Sequence, residues 1–139
     1  MRPNHAVLSR VMRAYVQGDL VPLMDATTED VVWDSNAPRE YFRFGGRFTG
    51  QLGVREALSL IASDFAILRY DTGEMTGEGD IVWMSNQLDV VELKTKSRAQ
   101  FQLINCWRFE SGKIRSCSEH FDSAGLLIQL GRSFTGAIS

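Results

Sequence analysis

The sequence has little of what announces chemistry by itself. In 139 residues there are two histidines, two cysteines and three prolines. His5 and His120 stand far apart without ligand-like spacing, so they give no metal signal. No Ser-His-Asp or Cys-His arrangement can be assembled. Gly45-Gly46-Arg47 reads as a flexible joint and lacks the length of a phosphate loop. Fifteen basic against 17 acidic residues leave a net charge of −2, which gives no electrostatic footprint for nucleic acid or an acidic membrane. No apolar run approaches the ~20 residues of a membrane span. The first residues, MRPNHAVLSR, carry no signal-peptide apolar region or cleavage site, so a cytoplasmic location is expected. Repeats, linkers and low-complexity segments are missing too, and one domain over 1–139 is expected.

What remains is an ordinary globule, 44% hydrophobic and 23% charged, long enough for one real core. Residues 4–17 read as a helix with Leu8, Val11, Met12 and Tyr15 on one stripe, stopped by Gly18. Asp19 caps a short helix to Asp25. Val31–Ser35 reads as a strand, with Val32 and Asp34 on one face and Val31 and Trp33 on the other. The loop that follows carries Tyr41, Phe42 and Phe44, which need a home over a pocket or at an interface. Gln51–Asp64 is a third helix with Val54, Ala57, Leu58 and Ile61 on its buried stripe. Residues 66–76 and 81–93 read as strands. Alternation in the second makes Val82, Met84, Asn86, Leu88 and Val90 its more apolar face. Ala124–Leu130 is a short closing helix. Helices first and strands after indicate an α+β fold: a curved antiparallel sheet wrapped around three helices of the N-terminal half, forming a cone with an interior pocket.

The stretch from Ala99 to Asp122 organises the rest. Phe101, Leu103, Asn105, Trp107 and Phe109 alternate with polar or smaller residues, so an amide sits amid an apolar sheet face. A three-residue loop, Glu110-Ser111-Gly112, is expected to join the two strands. It sets Phe109 against Lys113 and Asn105 against Cys117, and it turns Glu119 inward, diagonal to Asn105. A two-residue Ser-Gly loop would turn His120 inward instead, at the cost of a positive φ at Ser111. In the first register Cys106 and Cys117 lie on opposite faces and do not bond to each other. His5 is expected to be solvated and His120 to lie at the surface.

Four local patterns carry a resemblance. They are GDL at 18–20, TEDVVWD at 28–34, the glycine-spaced run from Gly45 to VREAL ending at Leu58, and the pair WRF…GKI and EHFD between Trp107 and Asp122. In this order they resemble the SnoaL-like family of the nuclear transport factor 2-like superfamily, which includes ketosteroid isomerase. The resemblance implies a cofactor-independent acid–base enzyme, an isomerase or polyketide cyclase acting on a small hydrophobic carbonyl compound. Its alternative is a non-catalytic binder of a hydrophobic metabolite. It matches Asp34 to the proton-shuttling aspartate of ketosteroid isomerase and Asn105 to its oxyanion-hole acid, while Val11 replaces its tyrosine. Glu119 falls where SnoaL-type cyclases carry their base. Asp89 and Glu119 match the carboxylates of limonene epoxide hydrolase, with Gln87 in place of its arginine.

The expected catalytic residues are therefore Asp34, Glu119, Asn105 and Asp89. Gln87, Trp107, Phe101, Leu103, Cys117, Phe121 and Tyr15 are expected to contact substrate. A carboxylate among apolar neighbours has its pKa raised towards neutrality, which suits a general base. If Asp89 and Gln87 point inward, Met84, Leu88, Val90, Ile104 and Cys106 form an apolar convex face, and a homodimer through it is expected.

Overall fold

The computed structural model describes residues 2–132. Its elements are α1 (Pro3–Tyr15), α2 (Val21–Asp25), β1 (Thr27–Ser35), β2 (Gly46–Thr49), α3 (Gly50–Asp64), β3 (Phe65–Thr76), β4 (Ile81–Glu92), β5 (Arg98–Glu110), β6 (Lys113–His120) and α4 (Ser123–Gln129). This is the expected α+β order with one addition, the short β2. The six strands form one sheet in the order β2-β1-β6-β5-β4-β3. All neighbours are antiparallel except β1 and β6. That parallel pair sets the first strand beside the last, with Trp33 next to Cys117 and Ser35 next to Glu119.

Leu8, Val11 and Met12 of α1 are buried as their spacing requires, and so is His5. His5 is not solvated: its Nε2 lies 2.9 Å from the carbonyl of Gly77. Gly77 has φ +103° and no room for a Cβ, which would stand 2.3 Å from the carbonyl oxygen of Ile81. The loop between β3 and β4 is thus tied to the first helix. Asp19 accepts a hydrogen bond from the Val21 N–H at 3.1 Å, which starts α2. The aromatic loop finds its home inside. Phe42 and Phe44 are buried in a cluster with Phe65, Leu103 and the α4 residues Leu126 and Leu127.

The hairpin of β5 and β6 differs from expectation in its turn and agrees in its outcome. Glu110 pairs with Lys113, so the loop is the two-residue Ser111-Gly112, and Ser111 does take a positive φ of 51°. That turn alone would bring His120 inward. A bulge compensates: Phe109 pairs with Ile114 but Arg108 pairs with Ser116. The extra residue, Arg115, resets the alternation. Asn105 consequently faces Glu119 directly, and Cys117 faces Trp107. Glu119 is buried and His120 is exposed. Both cysteines are buried and free.

β4 obeys its own periodicity and not the resemblance. Val82, Met84, Asn86, Leu88 and Val90 are buried in the interior. Asp89 and Gln87 therefore face outward, because a strand cannot turn both alternating sets to one side. The expected convex patch is corrected accordingly. Met84, Leu88 and Val90 belong to the core, and the outer face carries Trp83, Ser85, Gln87 and Asp89 beside Ile104 and Cys106. No helix among the described residues is long and apolar enough to cross a membrane.

Candidate functional site

The helices α1 to α3 and the concave face of the sheet enclose a cavity of about 60 Å³, room for several water centres where one needs ~10–15 Å³. Its wall is almost entirely apolar. α1 contributes Met12 and Tyr15, α3 contributes Ile61, and the sheet contributes Leu88, Val90, Phe101, Leu103 and Trp107, with Phe121 and Leu126 at the closing end. Besides the Tyr and Trp side chains, two polar side chains of the sheet reach this space, Asn105 and Glu119.

Glu119 is held from both sides. Oε1 accepts from Trp33 Nε1 at 2.8 Å and Oε2 accepts from Asn105 Nδ2 at 3.2 Å. Asn105 is itself fixed: its Oδ1 accepts from Asn86 Nδ2 at 2.6 Å. The same Asn86 amide reaches the Leu103 carbonyl at 3.3 Å. Because the Asn105 oxygen is committed to Asn86, its N–H₂ group must face the acid. Three strands thus deliver one chain of hydrogen bonds, Asn86 to Asn105 to Glu119, closed by Trp33 on a fourth.

Burial raises the Glu119 carboxyl above its ordinary value, and the hydrogen bonds from Trp33 and Asn105 pull it partly back. Low dielectric disfavours the charged form, while donors aimed at the oxygens favour it. Burial, and then the charge of Glu119, push the Tyr15 and Tyr70 phenols up, so both stay protonated and keep an O–H to donate. The two rings meet edge to face with centroids 6.1 Å apart. Neither hydroxyl has a hydrogen-bond partner among the described residues. The Trp107 indole nitrogen is also buried without a partner. The Cys117 thiol is pushed up by burial first and by Glu119 second, which makes it a neutral neighbour rather than a nucleophile.

Seven residues expected at the site line the cavity: Asn105, Glu119, Tyr15, Phe101, Leu103, Trp107 and Phe121. Cys117 is buried and touches the Asn105 amide through its sulfur at 3.4 Å. Three others are not brought there. Asp34 sits on the face of β1 opposite Trp33 and pairs bidentately with its cross-strand partner Arg47 at 2.9 and 3.1 Å. The large indole takes the interior position and the carboxylate is left outside. Asp89 lies under Arg98 on the outer face, bonded at 3.0 and 2.6 Å. The Arg98 guanidinium holds its carboxyl below the usual range. Gln87 is exposed. Conversely, Trp33, Asn86 and Tyr70 were not expected as site residues. The alternation of β1 and the lone amide on the apolar face of β4 were available signals for the first two. Tyr70 lies in a mostly exposed strand and had none. Among the described residues no group of three His, Cys, Asp or Glu side chains is placed to hold a metal ion.

A curved six-stranded sheet closed over three helices around a cavity is the architecture of nuclear transport factor 2-like proteins. A Burkholderia pseudomallei protein of that fold is 22% identical with a TM-score of 0.85, over 93% of this chain and 98% of its own. TerC, co-crystallised with polyporic acid, is 19% identical with a TM-score of 0.83, over 93% and 98%. A Catenulispora acidiphila protein with a ketosteroid isomerase-like fold, in complex with trimethylamine, is 12% identical with a TM-score of 0.76, over 91% and 93%. Identities this low speak for the fold alone. Within that class the SnoaL-like domain family matches residues 8–117, and the chain belongs to it. No curated protein matches the chain in sequence.

Proposed function

We propose that the cone binds a small, mostly apolar carbonyl compound and that Glu119 acts on it as a cofactor-independent general base. The observation that carries this reading is the placement of one acid, with a raised pKa, in an apolar cavity beside two unpartnered phenol hydroxyls. Glu119 would take a proton from the carbon next to the carbonyl. The electron pair released by that C–H bond would move onto the carbonyl oxygen, which accepts from Tyr15 or Tyr70. Returning the proton to another carbon completes an isomerisation; attack of the same carbanion on a second carbonyl is the aldol-type closure of a cyclase. Asn105 takes a different part from the one its position suggested. Its N–H₂ is committed to Glu119, so it positions the base while the tyrosines serve the oxygen. That TerC was co-crystallised with polyporic acid supports a small organic ligand for this fold.

One observation favours the non-catalytic alternative: both Glu119 oxygens already accept hydrogen bonds, as buried structural acids do. Proton NMR in D₂O separates the two, with phenylacetone, 1-indanone and 2-tetralone as probes. The enzyme reading expects accelerated exchange of the α-protons of at least one probe, slowed by about 10²-fold or more in Glu119→Gln. Binding without accelerated exchange selects the binder, and equal exchange by both proteins ends the catalytic reading.

A homodimer through the outer sheet face belongs to the same proposal. It draws on the exposed Trp83, 44% accessible on that face. Light scattering at micromolar concentration tests it, and a monomer would refute it.

A further inference from the structure

The sheet wall has a seam. β6 pairs with β5 from Lys113 to His120, opposite Ile104, and ends there, while β4 accompanies β5 as far as Arg98. Beyond Ile104, towards Arg98, β5 has a strand on one side only. Two side-chain amides stand where strand partners would be. Gln129 of α4 accepts from the Gln100 N–H at 2.8 Å and donates to its carbonyl at 2.9 Å. Asn36 likewise donates to the Phe121 carbonyl at 2.8 Å and accepts from its N–H at 3.2 Å. Alternation of the antiparallel backbone puts the N–H and C=O of Gln102 on the same edge as those of Gln100. Among the described residues no backbone group across the gap bonds to them.

Two aromatic rings fill the seam. Phe101 and Phe121 lie with centroids 5.3 Å apart at 39°, and both are half-buried. On one side they line the cavity that holds Glu119. On the other they line an open depression of about 480 Å³ with Gln102, His120 and Asp122 on its walls. The rings are a partition between an almost wholly apolar chamber and an outer one of mixed polarity. They are apolar side chains with no hydrogen bonds to break, so rotating them aside costs packing alone.

We propose that the seam is a second subsite, so that the ligand is elongated, with its apolar body in the cone and a neutral carboxamide-like head in the outer depression. The Gln102 peptide edge presents one donor and one acceptor side by side, which a primary amide matches with its own carbonyl and N–H₂. Gln102 and Asn36 surround the place with neutral polar groups, and the Asp122 carboxylate is occupied by the Gly125 N–H at 2.8 Å. A molecule longer than the small inner chamber has this wall as an adjoining way out. The inference rests on the reading of the cone as a ligand pocket.

The test compares 3-phenylpropanamide, its N,N-dimethyl derivative and propylbenzene, with cone occupancy read from the fluorescence of Trp33 and Trp107, which line the cavity. The primary amide is expected to bind about tenfold tighter than propylbenzene, from two added hydrogen bonds, and the dimethyl amide more weakly than the primary amide. In Gln102→Pro, which deletes the N–H on the free edge, the amide-to-hydrocarbon ratio should fall by severalfold. Should that variant not fold, the dimethyl comparison in the native protein decides. Equal binding of amide and propylbenzene, or an unchanged ratio in a folded Gln102→Pro, overturns the subsite and leaves the cone reading standing. If no probe binds, both fall.

Discussion

The indole N–H of Trp33 donates to Glu119 Oε1 at 2.8 Å, a bond between residues 86 positions apart that the parallel pairing of β1 and β6 makes possible. It couples the acid to the largest side chain of the first strand. Trp33 also meets Trp107 edge to face, centroids 5.7 Å apart, so the donor cannot drift from its acceptor.

Trp33→Phe keeps most of that packing and removes the donor. Leaving a buried acceptor without its donor costs ~1–3 kcal/mol. The variant should lose stability of that order near neutral pH, measured by urea unfolding, and the Glu119 carboxyl should titrate higher by carbon-13 NMR.

Asn105→Leu should act more broadly. It removes the second donor to Glu119 and leaves Asn86 without its acceptor at 2.6 Å. Stranding buried polar groups costs ~1–3 kcal/mol each. The Glu119 titration should again move upward, and the double variant with Trp33→Phe should move it further than either alone.

The pH dependence of stability follows from the direction of the Glu119 shift. Its folded pKa lies above the ordinary value of 4.5, so the folded state binds more protons than the unfolded state between those two values. The stability associated with this group is fully present below pH 4.5 and is lost as pH rises through the folded pKa. Glu119→Gln carries no such titration. Melting temperatures from pH 4 to pH 8 should fall less steeply in Glu119→Gln than in the native protein.

Asp34→Asn should leave α-proton exchange unchanged and shift stability by less than ~1 kcal/mol, the range of an exposed ion pair. A large loss of exchange would return Asp34 to the chemistry and contradict its outward placement.

Ser111→Asn should stabilise the hairpin by roughly 0.5–1 kcal/mol, because Asn tolerates the left-handed conformation that Ser111 adopts and Asn-Gly suits the two-residue turn. Thermal unfolding checks this, with a higher melting temperature expected and an unchanged Glu119 titration.

The sequence by itself determined the element order, the inward face of β4, the apolar stripe of α1 and the amide amid the apolar face of β5. Each depends on periodicity within one element, and burial enforces it. The periodicity of β4 also spoke against an inward Asp89, which only the resemblance implied and which the structure places under Arg98 on the outer face. Tertiary structure alone decided which residues stand next to Glu119. A bulge at Arg115 reversed the parity that the Ser111-Gly112 turn would have set, and the parallel contact of β1 with β6 supplied Trp33. Both depend on pairing between strands, where a shift of one residue exchanges the two faces. Local spacing carries no record of such a shift.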